Sequence, residues 1–244
     1  MQIRTREFVP RATFALHDPL LQRALANAAG GFIGKRAKAV AEVPEFEALR
    51  EAARQRKDEI LAELDLWLER FEARVRAVGG QVHWARDAEE ARAIVLALCR
   101  RAGAKTVAKG KSMVSEEIGL NEALAADGLE VIETDLGEYI VQLAKEPPSH
   151  IIAPAVHKTK EQVAELFAEH HGGPPKTTVP ELVTEARLQL RRKFFRTDVG
   201  ITGANFLIAE TGASVIVTNE GNGDLTQSLA RVHIVTAGIE KLIP

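Results

Sequence analysis

The stretch VHWARDAEEARAIVLALCRRAGAKTVAKGKSMVSEEIGLNEALAADGLEVIE, residues 82–133, decides the fold. Val82–Trp84 reads as a short strand. Asp87-Ala88-Glu89-Glu90 then supplies a helix cap with its reciprocal carboxylate at the third position. Ala91, Ile94, Val95 and Leu98 recur at three- and four-residue steps, one apolar helical stripe that Gly103 stops. Thr106–Ala108 is the next strand, a helix follows around Ser115–Ala126, and Leu129–Glu133 is another strand. Strands alternating with helices of this length imply βαβ units and a mostly parallel sheet.

Toward the C-terminus, Pro147-Pro148 breaks the chain before a strand expected at Ile151–Ala153. Thr159 with Gln162, and Thr178 with Glu181, mark two more capped helices. Val199–Thr202, Phe206–Ala209, Val215–Thr218 and Val232–Val235 read as short strands with no helix of length between them. Thr211-Gly212 suggests a tight hairpin. The expected architecture is α/β: a mostly parallel sheet with helices on both faces, plus antiparallel C-terminal strands.

Toward the N-terminus, Phe46, Leu49, Ala53, Ile60, Leu64, Trp67, Phe71, Val75 and Val78 form one helical stripe, with Pro44 ahead of it and Gly79-Gly80 behind. Unbroken, it would run about 50 Å. A preceding helix, about Pro19 to Val43, is expected to be interrupted near Gly30-Gly31. The reading divides the chain into a helical arm, 1–78, and an α/β domain, 79–244. The arm offers apolar surface for docking, to a partner or to a second copy as a homo-oligomer.

Composition narrows the chemistry. The chain has 244 residues, a net charge of −2, 45% hydrophobic and 27% charged residues. Its single cysteine, Cys99, excludes a disulfide framework and a self-contained zinc-ribbon or iron–sulfur site. No apolar run approaches the about 18–20 residues of a membrane span, and the N-terminus lacks a signal-peptide core, so a cytoplasmic location is expected. Residues 1–41 carry seven basic against two acidic side chains, a net of +5, which leaves −7 for the rest. With few aromatics and no recognition motif, this basic arm does not point to nucleic acid.

Lys109-Gly110-Lys111-Ser112 lies between a strand and a helix, where backbone N–H groups favour an anion. It is not a Walker loop, because Lys105 stands where that motif needs glycine. Two readings stay open: a site for a carboxylate or phosphate using Lys109, Lys111 and Ser112, or a solvated basic turn. Thr202, Gly203 and Asn205 follow a strand end and either approach a ligand or form a turn. Glu210 next to Thr211 could act as base or nucleophile, or sit at an ordinary hairpin end. Asn219, Glu220, Gly221 and Asn222 form a Gly/Asn loop able to cover a ligand, with Glu220 a second candidate base. No histidine pair has metal-ligand spacing, so no metal is expected.

KGKSMVSEEIGLNEAL (109–124), ETDLGEYIVQL (133–143), PPSHIIAPAVHKTK (147–160), DVGITGANFLIAETG (198–212) and TNEGNGDL (218–225) together resemble the LUD domain of the lactate utilisation protein B family. The resemblance runs from about Gly31 to Pro244. It implies a fold similar to the ribose-5-phosphate isomerase and coenzyme A transferase group. It also implies a role in oxidising L-lactate to pyruvate as a subunit of a multi-protein complex, alongside other lactate-utilisation subunits, with electron transport through iron–sulfur centres. Family members carry a Cys-rich ferredoxin-like region after the LUD domain, and this chain reaches Ile243-Pro244 about where that region would begin. No cofactor is therefore expected in these residues, and clusters only in such a following region or in a partner. The chain's expected share is ligand binding and assembly, with little activity alone. The alternative is an autonomous isomerase or transferase acting on an anionic substrate (a phosphate, a carboxylate or a coenzyme A ester), with Glu210 or Glu220 as base or nucleophile.

Overall fold

A computed structural model describes residues 5–244. The chain divides into two compact units: residues up to Val43 together with Asp135–Lys193, and Pro44–Thr134 together with Phe194–Pro244.

In the first unit, α1 (Phe8–His17) is followed by α2 (Pro19–Ala41). Asp18 starts α2 by accepting the Leu20 and Leu21 N–H groups, with Pro19 at the first helical position. The helix runs on through Gly30-Gly31, where an interruption was expected. Glycine inside a helix costs about 1 kcal/mol, which a helix of this length absorbs.

The second unit opens with α3 (Phe46–Ala62) and α4 (Leu64–Ala77). The expected single helix breaks at Glu63, which leaves helical geometry (φ −130°, ψ 39°). The break lets Ile60 and Phe71 meet Ala209 and Leu242 in one core, with Leu64, Trp67, Leu68 and Val75 around it. The Ile60–Val75 part of the expected stripe is thus covered within its own unit, while Leu49 and Val78 remain exposed. Val82, expected in a strand, packs on the same core, and Trp84 Nε1 donates to Glu72 (3.1 Å). No strand forms at 82–84, because alternation without a neighbouring strand leaves the ladder unmade.

α5 (Ala88–Arg101) begins at Asp87, whose carboxylate accepts the Glu90 N–H (2.9 Å). Glu90 reaches back to the Arg86 N–H (2.8 Å), one residue beyond the Asp87 N–H of the expected reciprocal cap. β1 (Thr106–Lys109) leads through α6 (Met113–Glu117) and α7 (Leu120–Ala126) to β2 (Glu130–Glu133). Gly119 (φ 65°) separates the two short helices, where one was expected.

The chain returns to the first unit for α8 (Leu136–Ala144), α9 (Lys160–His171) and α10 (Val179–Phe194). The expected caps form at Thr159–Gln162 and Thr178–Glu181. Ile151–Ala153 is a bend, not a strand, because His150 Nδ1 accepts the Ile152 and Ala153 N–H groups (3.1 Å each). Tyr139, Phe167 and His171 stack in the helical core, where Tyr139 Oη and Glu185 Oε1 each lie 2.9 Å from a His171 ring nitrogen.

Back in the second unit come β3 (Val199–Thr202), β4 (Phe206–Ile208), β5 (Ala213–Val215), α11 (Asn222–Leu229), β6 (Val232–Val235) and β7 (Leu242–Ile243). The main sheet has the order β2-β1-β3-β6, parallel throughout. Val107, Val199 and Ile201 face Val95, Cys99, Leu120 and Leu124 of α5 and α7. The alternate residue Gly200 faces α11 so closely that a Cβ would overlap the Thr226 carbonyl. Helices therefore cover both faces. The last fifty residues differ from expectation in two ways. α11 intervenes before β6, and β6 joins the parallel sheet. Antiparallel pairing is confined to β4–β5, in a second sheet of order β5-β4-β7. The hairpin turns at Gly212 (φ 75°).

Candidate functional site

The carboxyl ends of a parallel sheet are where chain turns, helix N-termini and open space converge. Here β1 ends at Lys109, β2 at Glu133, β3 at Thr202 and β6 at Val235. Lys109 and Glu133 are register partners, so both side chains fall on the α7 face of the sheet. Lys109 is fully enclosed. Its Nζ lies 3.0 Å from Glu133 Oε1 and 2.8 Å from Glu116 Oε1. Asn121 Nδ2 donates to the same Glu133 oxygen (2.6 Å). The Asn121 Oδ1 atom is buried with no hydrogen-bond partner among the described residues.

Electrostatics follow from this enclosure. Burial alone would push the Lys109 ammonium down, but Glu133 and Glu116 outweigh it and hold the group above its ordinary value. Burial pushes the Glu133 carboxyl up, against the opposing pull of Lys109 and Asn121. One enclosed ammonium thus serves two carboxyl groups, Glu133 buried and Glu116 partly exposed.

A hydroxyl cluster lies at the ends of β1, β3 and β6. Ser112 caps α6 by accepting the Ser115 N–H (3.2 Å). The Thr236 hydroxyl lies 3.2 Å from Ser112 Oγ and 3.0 Å from Ser115 Oγ, and its N–H donates to the Thr202 carbonyl (2.8 Å). A Cβ on Gly203 would come within 3.2 Å of Ser112 Oγ, so any side chain there would push Ser112 aside by a few tenths of an ångström. The Gly110 N–H donates to the Ile201 carbonyl (2.8 Å), which ties the β1 turn to β3. Thr202 Oγ1 is 2.8 Å from His233 Nε2, and burial holds that imidazole below its ordinary value. Thr134 Oγ1 donates to the Lys109 carbonyl (3.0 Å) and meets Thr226 Oγ1 (3.2 Å).

Of the residues expected from sequence, Lys109, Ser112, Thr202 and Gly203 gather here, with Lys111 half-buried in the connecting turn. The others sit on different elements. Asn205 pairs its N–H with the Val215 carbonyl and accepts the Val217 N–H at its side chain (2.8 Å each), extending the β4–β5 ladder. Glu210 and Thr211 occupy the exposed turn between those strands, where Thr211 Oγ1 accepts the Ala213 N–H (3.2 Å). Asn219 and Glu220 are exposed ahead of α11, Gly221 is its left-handed N-cap (φ 75°) and Asn222 its first residue. Sequence reasoning did not anticipate Glu116, Asn121, Glu133, Ser115, His233 or Thr236. One signal was available: Lys109 and Glu133 each close an apolar strand with a charge.

The lone Cys99 thiol is enclosed in the core, and burial, helped by Asp127, pushes it up to about 11. Such a thiol offers no thiolate, and one sulfur falls short of the usual four, so the residues present do not fit an iron–sulfur cluster.

An open parallel sheet covered by helices on both faces, with a polar cluster at its carboxyl ends, defines an α/β protein. Residues 68–244 match the LUD domain, and the chain belongs to that family. It is 42% identical over 245 residues to lactate utilization protein B of Bacillus licheniformis, covering 100% of this chain and 51% of that protein. Lactate utilization protein B of Bacillus subtilis is 40% identical over 245 residues, with 100% and 51% covered. An uncharacterized electron transport protein of Escherichia coli K12, YkgF, is 39% identical over 246 residues, with 100% and 52% covered. The chain thus spans about half the length of the curated relatives it matches. No solved structure matches it. No helix among the described residues is long and apolar enough to cross a membrane.

Proposed function

We propose that this chain is the ligand-binding and assembly portion of a lactate-utilisation protein, serving the oxidation of L-lactate to pyruvate in a multi-subunit complex. The observation that carries the reading is the full-length match, at about 40% identity, to proteins named lactate utilization protein B. The name of the Escherichia coli relative supports an electron-transport setting. Removing two electrons from lactate needs an acceptor, and the reading places iron–sulfur chemistry outside these residues, in a further region or a partner subunit.

Within the chain, the strand-end cluster is the proposed binding site for a small carboxylate. Lys111 supplies charge at its rim, and the Ser112 and Thr236 hydroxyls with the Gly110 and Gly203 backbone supply short polar contacts. Lys109 acts from beneath as a positioning residue, fixing Glu116 and Glu133 and so the α6–α7 turn above them.

The test is a domain exchange. This chain would replace the matching half of the Bacillus subtilis protein in a strain lacking its own copy, scored by growth on L-lactate. Restored growth is the expected result. A folded, expressed chimera that does not grow overturns the reading.

A further inference from the structure

In the first unit, two separated chain segments place bulky aliphatic side chains in solvent at one place. Phe32 of α2 stacks on the His150 ring, with centroids 6.2 Å apart and planes 8° from parallel. That contact joins the second half of α2 to the 150–152 bend. Around it Ile33 and Ile152 are each 72% exposed and Ile151 is 62% exposed. The bend is a built one: His150 accepts two backbone N–H groups, and Ser149 N–H donates to the Pro154 carbonyl (3.0 Å). It therefore holds an Ile-Ile pair outward rather than letting it collapse. Exposed aliphatic groups held this way mark an interaction surface.

Charge decides the occupant. Lys35, Arg36 and Lys38 follow Phe32 and Ile33 on α2, and Arg23 precedes them. Of the carboxylates on these two segments, Glu42 lies 4.0 Å from Lys38, and Glu146 is 2.6 Å from Lys158 and 2.8 Å from His157. Protruding aliphatic tips beside a basic helix end match a layer that is apolar beneath and anionic at its face. We propose that the second half of α2 and the 150–152 bend seat this protein on an anionic lipid surface.

The experiment is co-sedimentation of the full 244-residue chain with phosphatidylcholine vesicles, with and without roughly one-third phosphatidylglycerol. The chain is expected to pellet with the anionic vesicles, to stay in solution with neutral ones, and to be released by salt. The Ile151→Ser/Ile152→Ser and Lys35→Glu/Arg36→Glu pairs should each weaken binding about tenfold or more, while circular dichroism stays unchanged. Absence of binding to anionic vesicles overturns the proposal. So does equal pelleting with neutral lipid, or binding that neither folded variant weakens. Retention on immobilised polyglutamate without vesicle binding would overturn it in favour of an acidic protein partner.

Discussion

Lys109 and Glu133 stand opposite each other on adjacent parallel strands, with ammonium and carboxylate 3.0 Å apart and neither side chain more than 2% exposed. The pair closes two apolar strands at the end of the sheet where the candidate site lies. Removing the ammonium alone leaves the enclosed Glu133 carboxyl without its cation and beside the partly exposed Glu116. Lys109→Met should therefore cost about 3–5 kcal/mol of stability, as breaking a buried ion pair does. The double variant Lys109→Met/Glu133→Gln removes one of the stranded charges and should recover part of that loss. Urea denaturation of the single variants and the double gives the coupling, expected at about 0.5–3 kcal/mol. Additive losses would show that the two groups do not act as a unit.

His233 sets part of the acid limb of stability. Burial depresses its folded-state pKa relative to the unfolded value, so the unfolded chain takes up the proton first as pH falls. Its contribution is intact above the unfolded value, about 6.5, and is lost as pH falls from there toward the folded value. His233→Asn keeps a polar partner for Thr202 but cannot titrate. The fall in the urea midpoint between about pH 7 and 5 should be shallower in this variant than in the parent. Identical slopes would assign the acid limb to other groups.

Gly212 couples the β4–β5 turn to α4. Its φ of 75° disfavours a side chain, and a Cβ there would lie 2.7 Å from Val75 N and 2.8 Å from the Arg74 carbonyl carbon. Gly212→Ala should cost about 2–4 kcal/mol, from left-handed backbone and overpacking together. Gly128 has a similar φ of 83° but open space around it. Gly128→Ala should then show the backbone cost alone, about 1–2 kcal/mol. Equal losses in thermal melts would mean that the contact with α4 is soft.

Much of the parallel sheet is legible in local sequence, because Val107, Val199 and Ile201 sit in short apolar runs bounded by caps and glycines. What was not legible depends on pairing. Val82–Trp84 alternates like a strand but gains no neighbour, and Val82 packs on the Ile60, Phe71, Ala209 and Leu242 core instead. The composition of Asn222–Leu229 reads as loop, yet α11 forms there because Gly200 on β3 leaves room for its backbone. The site divides the same way. Ser112 and Gly203 were singled out separately as turn residues. Their contact rests on the β1–β3 register, which no window of sequence contains. Glu133 was hidden for a different reason: its partner Lys109 reads locally as part of a basic turn, for an anion or for solvent, whereas the register buries both.

The sharpest test of the site is the turn itself. If the ends of β1, β3 and β6 hold a small carboxylate, affinity should depend on Lys111 at the rim and on the Ser112 hydroxyl within hydrogen-bonding distance of Thr236 (3.2 Å). Calorimetric titration with L-lactate, pyruvate and inorganic phosphate identifies which anion binds the parent chain. For that anion, Lys111→Ala should weaken binding by about 1–3 kcal/mol, the range for a charge-assisted hydrogen bond. Ser112→Ala should weaken it as well, and should also lose about 1 kcal/mol of stability, since the hydroxyl caps α6. Glu210→Gln serves as the comparison, because Glu210 lies on the exposed β4–β5 turn and should leave affinity unchanged. The reverse pattern, with affinity lost in Glu210→Gln and kept in both turn variants, would move the binding site to the second sheet and leave Lys109–Ser112 a purely structural turn.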